Sequence, residues 1–347
     1  MKEAKNTIPI LITGGCGFIG SNFIPYFLEK YPRYQIINLD KLTYAGNRDN
    51  VKEVEDNPHY KFIHGDICDR TLVENIFRKS DIRGVIHFAA ESHVDNSIKS
   101  PDVFIKTNVE GTFTLLDVAK NYWLEAPHSY KKEYPACRFH HISTDEVYGS
   151  LNDTGLFRED SPYAPNSPYS ASKAASDFIV RSYYHTYGLN TVISNCSNNY
   201  GPKQHTEKLI PTIICKAIHL EKIPIYGTGK NVRDWLYVLD HCRAIDCIFH
   251  EGKAGEWYNV GGRNELENIS IAEKICGILD EIAPEFKKGS KIKKYSELIH
   301  FVSDRPGHDF RYAIDPTKIE RELGWKTEKK FEIGLEKTVE WYLEIKS

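Results

Sequence analysis

The stretch Ile8-Pro-Ile-Leu-Ile-Thr-Gly-Gly-Cys-Gly-Phe-Ile-Gly20 decides the fold. An apolar run, Ile8–Thr13, ends in glycines, and helical spacing of apolar residues runs from Phe18 to Lys30. Gly14, Gly17 and Gly20 make a G-x-x-G-x-x-G loop between a strand and a helix. Without Cβ atoms the loop turns tightly and its backbone can approach a pyrophosphate. The helix start at Phe18, Ile19 and Gly20 aims free N–H groups and the positive end of its dipole at that anion. A glycine turn with no ligand is the plainer alternative. Asp40 favours a ligand, because it stands 20 residues after Gly20 and closes a second apolar run, Gln35–Leu39. A carboxylate there accepts hydrogen bonds from an adenosine ribose and repels a 2′-phosphate, which selects NAD over NADP.

Further apolar runs follow at Tyr60–His64, Gly84–Ala90, Arg138–Ile142 and Thr191–Ser194. Helical segments lie between them at about 70–80, 101–124 and 168–187. Short, continuously apolar strands alternating with helices predict right-handed βαβ units. The fold class is α/β, a Rossmann-type doubly wound parallel sheet with a smaller C-terminal α/β substrate-binding domain. Asp66-Ile67 and Phe88-Ala89-Ala90 end the third and fourth runs, on the edge where the dinucleotide lies. After Pro202 the rhythm breaks into Gly/Pro clusters, framed by helices near 269–283 and 331–346. Residues 1–202 read as the NAD-binding domain and 203–347 mainly as the substrate domain, with about 230–265 contributing to the first. Glu285–Lys294 holds five lysines and reads as a solvated loop.

Composition excludes several classes. Over 347 residues, 45 Lys and Arg nearly balance 48 Asp and Glu, so no nucleic-acid partner is expected. No apolar run approaches the ~20 residues of a membrane helix. Met1–Thr7 is polar and the run after it is too short for a signal-peptide core, so a cytoplasmic location is expected. The eight cysteines form no C-x-x-C pair and read as buried reduced thiols. Asn152, Asn195 and Asn268 open glycosylation sequons without a secretory signal to support their use. There is no H-E-x-x-H and no phosphate-loop lysine motif. His140 and His141 are adjacent, so in a strand they face opposite sides, and no metal is expected.

Tyr169-Ser-Ala-Ser-Lys173 places a phenol and an ammonium one helical turn apart on one face. An ammonium beside the phenol is expected to favour phenolate, making Tyr169 a general base near neutral pH. A surface pair is the plainer alternative. Ser143-Thr-Asp-Glu146 follows the fifth strand, where the Thr144 hydroxyl suits a substrate oxygen. Asp145 and Glu146 are either an exposed polar loop or a separate acid and base.

These features, in this order, resemble the extended short-chain dehydrogenase/reductase family. Within it, Thr144-Asp-Glu-Val-Tyr-Gly149 is similar to the sugar-nucleotide 4,6-dehydratases. So are Ala89–Asp95, Cys196–Pro202, Glu207–Pro211, Asn231–Trp235 and Asp304–Asp309, with members acting on dTDP-glucose the most similar. The similarity runs from Ile10 beyond Tyr312. Cys16 and Asn96 depart from it, where Ala and Arg are expected.

The resemblance implies NAD as cofactor, touched also by Lys41, Leu42, Thr43, Ser92, Thr107 and Asn198. It implies a nucleotide-sugar substrate, dTDP-glucose, bound also by Ser92 and by Thr144, which would hydrogen-bond the C4 oxygen. The nucleotide would meet Asn199, Lys208, Leu209, Pro224, Ile225, Tyr226 and Asn268. Arg233 and Arg305, with His308, are the candidate cations for the substrate pyrophosphate, since guanidinium forks match phosphate oxygens, and Asp304 is a further substrate-binding residue. The implied roles are Tyr169 and Lys173 for C4 oxidation, Glu146 as base at C5 and Asp145 as acid at O6. A homodimer through the 101–124 and Tyr169 helices is implied as well. A 4,6-dehydratase of UDP- or GDP-sugars, a sugar-nucleotide 4-epimerase or decarboxylase, and an NAD-binding sensor are the alternatives.

Overall fold

Seven strands pair in parallel across one sheet: β1 (Ile8–Thr13), β2 (Tyr34–Asp40), β3 (Tyr60–His64), β4 (Gly84–His87), β5 (Arg138–Thr144), β6 (Thr191–Cys196) and β7 (Trp257–Val260). Their order is β7-β6-β5-β4-β1-β2-β3. The structure, a computed structural model, describes residues 7–345. Met1–Asn6, in the polar N-terminus, and Lys346-Ser347, at the expected end of the last helix, lie outside the described residues.

The strand order reverses between β1 and β4, which opens a crevice at their carboxyl ends. Alternation along each strand fills both faces. Ile10, Ile12, Ile36 and Ile86 pack on Phe23 and Phe27 of α1 (Phe18–Lys30). Leu11, Ile37, Val85 and Phe139 pack on the other face against α2 (Arg70–Ser80), α3 (Thr112–Trp123) and α4 (Pro168–Tyr187). Trp123 is fully buried there, and its Nε1 donates to the Ile82 carbonyl at 2.7 Å. Trp123→Ala is expected to cost about 3–5 kcal/mol of unfolding free energy in a denaturant melt. A loss below about 1 kcal/mol would contradict this packing.

Past β6 the chain builds a second core. It holds α5 (Leu209–Ile218), α7 (Asn268–Ile282) and α8 (Phe331–Glu344), around Tyr200, Ile213, Trp235, Ile275 and Leu335. Between α5 and α7, α6 (Val238–Glu251) returns to pack on α1, and β7 joins the main sheet.

Four expectations change. Residues 101–124 are not one α-helix: 101–104 is α-helical, 105–111 is π-helical, and α3 ends at Trp123. The Asn108 carbonyl accepts from the Thr112 and Ser176 hydroxyls, both at 2.6 Å, which disturbs the regular ladder. The run Gly84–Ala90 leaves the sheet at His87, so Phe88–Ala90 hang over the crevice. Cys68, Cys215 and Cys247 are only half-buried, whereas the other five cysteines are buried. Lys287 ties the lysine-rich loop to Asp280 and lies over the Tyr295 ring, so that loop is not uniformly solvated.

Candidate active site

The cleft lies at the carboxyl ends of β1, β2, β4, β5 and β6. Gly14 has φ +72°, and a Cβ there would sit 2.6 Å from the Ala89 backbone. A Cβ on Gly20 would sit 2.7 Å from the Gly14 carbonyl. Gly17, extended, caps α1 without a side-chain acceptor, so the first helical N–H groups have no side-chain partner at the cap. Asp40 fastens this loop: its carboxylate accepts from Cys16 N and Leu42 N, each at 2.8 Å. Two oxygens offer about four acceptor sites, so lone pairs remain for a ribose. Burial raises the Asp40 carboxyl above its ordinary value. Lys41 pairs with Asp66 at 2.8 Å on the cleft rim. Thr43, Ile67, Phe88, Ala90, Ser92 and Thr107 line the walls. The buried Asn198 Oδ1 has no hydrogen-bond partner among the described residues. A cation-free glycine cradle, a helix start and an acidic strand end fit a dinucleotide. Cys16 turns into the α1 core rather than the cleft, and burial pushes its thiol up to about 12. Asn96 lies half-buried on the helix Val94–Lys99.

Tyr169 and Lys173 enter from α4. Ser167 starts that helix by accepting from Ser170 N at 3.0 Å, with Pro168 next in the first turn. Both functional side chains are buried. Lys173 Nζ donates to the Ile142 carbonyl at 2.8 Å and lies 3.4 Å from His141 Nε2. The same His141 nitrogen is 3.2 Å from Asp177 Oδ1. Asp177 Oδ2 accepts from the Ser143 and Tyr163 hydroxyls at 2.8 and 2.9 Å. Burial brings Lys173 down to about 8, partly opposed by the Asp177 charge. The expected lowering of the Tyr169 phenol is not found. Burial first, then the Glu146 carboxylate, holds it well above its ordinary value. Lys173 turns to β5 instead of dominating the phenol.

This network predicts a pH effect. Lys173 supplies a cation only while protonated, so kcat/KM is expected to fall as pH rises through about 8. Asp177→Asn removes the anion that supports the ammonium, so that alkaline limb should move to lower pH. An unmoved limb in the pH–rate profile would contradict the coupling.

Asp145 and Glu146 are adjacent, yet their surroundings differ. Burial, then the charges of Glu146 and Asp234, raises Asp145 well above the ordinary carboxyl range. Burial also raises Glu146, but Arg305, Lys208 and Arg233 pull it back. Asp145 can therefore hold a proton where Glu146 can take one. Thr144 Oγ1 lies between them, accepting from Glu146 N at 3.3 Å and donating to Asp145 Oδ1 at 3.4 Å.

Of the expected nucleotide and pyrophosphate residues, Asn199 and Lys208 line this cleft, while Leu209, Pro224, Ile225, Tyr226, Arg233, Asn268, Asp304, Arg305 and His308 are not among its lining residues. Arg233 donates to the carbonyls of Val232, Asp309 and Phe310 and stacks on Tyr312 at 4.3 Å. Lys208 Nζ donates to the Ser92 carbonyl at 2.9 Å. Arg305 lies 3.5 Å from Asp95, which also accepts from the Tyr226 hydroxyl at 3.2 Å. His308 pairs with Asp304 at 2.6 Å. The Asn199 side chain joins His241 and the Ser197 carbonyl. Ile225 faces the second core and pairs with Phe301 in a short parallel ladder, while Pro224 and Leu209 are half-buried. The buried Asn268 Oδ1 has no hydrogen-bond partner among the described residues.

Glu207, His205 and Gln204 also line the cleft and were not among the expected site residues. Glu207 precedes Lys208 in the quoted Glu207–Pro211 stretch, which was the available signal.

Sheet order, glycine loop, and a Tyr–Lys helix beside a strand-end hydroxyl define an extended short-chain dehydrogenase/reductase. The GDP-mannose 4,6 dehydratase family matches residues 11–338. The chain is 52% identical over 339 residues to the dTDP-glucose 4,6-dehydratase of Neisseria meningitidis, covering 97% of this chain and 94% of that one. A crystal structure of dTDP-glucose 4,6-dehydratase from Bacillus anthracis in complex with NAD is 46% identical, with TM-score 0.84 and 97% of each chain covered. The Streptomyces venezuelae enzyme, with NAD bound, is 44% identical, with TM-score 0.87 and 97% of each chain covered. The chain belongs to the nucleotide-sugar 4,6-dehydratase family, among relatives that are dTDP-glucose 4,6-dehydratases.

Proposed function

We propose that this enzyme, a hydro-lyase, converts dTDP-glucose to dTDP-4-keto-6-deoxyglucose with NAD. The observation that carries the reading is the pair Asp145 and Glu146, neighbours whose environments separate a proton donor from a proton acceptor. When bound, NAD would supply a hydride acceptor and donor. Gly14, Gly17 and the start of α1 would hold its pyrophosphate, and Asp40 its adenosine ribose. Tyr169 takes the O4 proton while Thr144 holds that oxygen. A ketone at C4 makes the C5 proton acidic, and Glu146 removes it. Asp145 protonates O6, which leaves as water. Arg305 and Lys208 supply cations for the substrate pyrophosphate, while Arg233 braces the wall behind it.

The enzyme is further proposed to act in the cytoplasm as a homodimer. Among the described residues no helix is long and apolar enough to cross a membrane. Val103, Ile105, Phe113 and Phe178 are exposed on elements packed against one another, which supports an apolar subunit contact. Light scattering on the purified protein tests the dimer. Incubation with dTDP-, UDP- and GDP-glucose tests the activity, with the product read by NMR. The 4-keto-6-deoxy sugar is expected from dTDP-glucose fastest. An epimerised or decarboxylated sugar would overturn the reading.

A further inference from the structure

A carboxylate is the wrong charge to keep beside a diphosphate, yet Asp95 stands against Arg305, one of the cations proposed for the substrate pyrophosphate. Asp95 Oδ1 lies 3.5 Å from Arg305 Nη1, and Asp95 Oδ2 accepts from the Tyr226 hydroxyl at 3.2 Å. Both partners come from the second half of the chain. Strands Ile223–Tyr226 and Ile299–Val302 pair in parallel, with Tyr226 opposite Val302. Tyr226 and the chain leading to Arg305 therefore leave the same end of one small sheet. Asp95 comes from the first half, in the first turn of the helix Val94–Lys99. Ser92, just before that helix, lines the cleft, and its carbonyl accepts from Lys208.

One carboxylate thus spans both halves of the chain beside the cleft. Long side chains lose conformational freedom when they bind a ligand, and prior ordering removes that cost. A guanidinium carries five N–H donors, so the ion pair at Nη1 leaves others for a second anion. Arg305 Nε is buried and has no hydrogen-bond partner among the described residues. The Tyr226 ring also meets the His308 ring edge-on, with centroids 6.2 Å apart.

We propose that Asp95 is a positioning residue for the nucleotide diphosphate of the substrate. Its carboxylate pins Arg305 and Tyr226 to the helix Val94–Lys99 before the ligand arrives, and Arg305 keeps its Nε–H for phosphate. This rests on the reading that Arg305 and Tyr226 meet the substrate, and it adds the residue that holds them there.

The test titrates dTDP into the NAD-loaded wild type, Asp95→Asn and Asp95→Ala by calorimetry, and follows dTDP-glucose turnover in each. Charge alone would tighten dTDP in Asp95→Asn, because a repelling anion is gone. Positioning predicts the opposite sign. Asp95→Asn keeps an acceptor for Tyr226 but loses the ion pair, so dTDP is expected to bind about threefold more weakly, and about tenfold more weakly in Asp95→Ala. KM should rise in step while kcat stays within about twofold, as when binding is lost equally from ground and transition states. In an Arg305→Ala background, Asp95→Asn should weaken dTDP no further. Unchanged or tighter dTDP in Asp95→Asn, the same weakening with and without Arg305, or a loss confined to kcat would overturn the positioning role alone. A wild type that binds dTDP but makes no 4-keto product would overturn the functional reading and leave the positioning role standing. A wild type that does not bind dTDP would overturn both.

Discussion

Glu146→Gln is expected to lower formation of the 4-keto-6-deoxy product by about 10²–10⁴-fold, the usual worth of a positioned acid or base. The amide cannot accept the C5 proton, yet it keeps the size of the side chain. Oxidation at C4 does not use this carboxylate. Trapping with borodeuteride and mass spectrometry should therefore find a 4-ketohexose that retains its C6 oxygen. Asp145→Asn should behave alike for a different reason: it removes the acid needed at O6, so the C5 proton can still exchange with solvent. Exchange at C5 in Asp145→Asn but not in Glu146→Gln would separate the two roles. Full turnover in both variants would contradict them. Burial raises both carboxyls, and the contrast lies in their neighbours: Arg305, Lys208 and Arg233 pull Glu146 back, whereas the charges of Glu146 and Asp234 raise Asp145 further against Arg233 alone among the cations.

The second large effect concerns Tyr169. Tyr169→Phe deletes the phenol oxygen and leaves a ring whose edge still packs against Phe104. Folding should hold, while C4 oxidation falls by about 10²–10⁴-fold. Because oxidation precedes elimination, no 4-ketohexose should be trapped and no C5 exchange should occur. A trapped ketose at wild-type rate in Tyr169→Phe would assign the base elsewhere. The raised phenol makes this variant informative. Tyr169 is 8% exposed and sits beside Glu146, so its phenolate depends on positive charge brought to it rather than on Lys173 alone.

The strand–loop–helix unit of residues 8–30 was legible because three local signals agree: an apolar run, glycines at three-residue spacing, and a helical period. The Tyr169–Lys173 face was legible from spacing alone. The direction of Lys173 was not, since it depends on how α4 packs on β5, which brings the Ile142 carbonyl and His141 within reach. Asp177 lies four residues after Lys173 and carries no motif, so its support of the ammonium appears only in three dimensions. The π-helical turn at 105–111 was equally hidden, because the Ser176 hydroxyl that captures the Asn108 carbonyl comes from a distant helix. Asp145 and Glu146 were visible as a pair. Their division into donor and acceptor needed Arg305, Lys208 and Asp234, which reach them from the second half of the chain.

The most direct measurement follows one hydrogen. The enzyme is given dTDP-glucose carrying deuterium at C4, in ordinary water, and the product is read by NMR. Recovery of that deuterium on C6, with the C4 ketone formed, is the expected result. Deuterium retained at C4 of an epimer, or released to solvent, would contradict internal hydride return and with it the proposed dehydration.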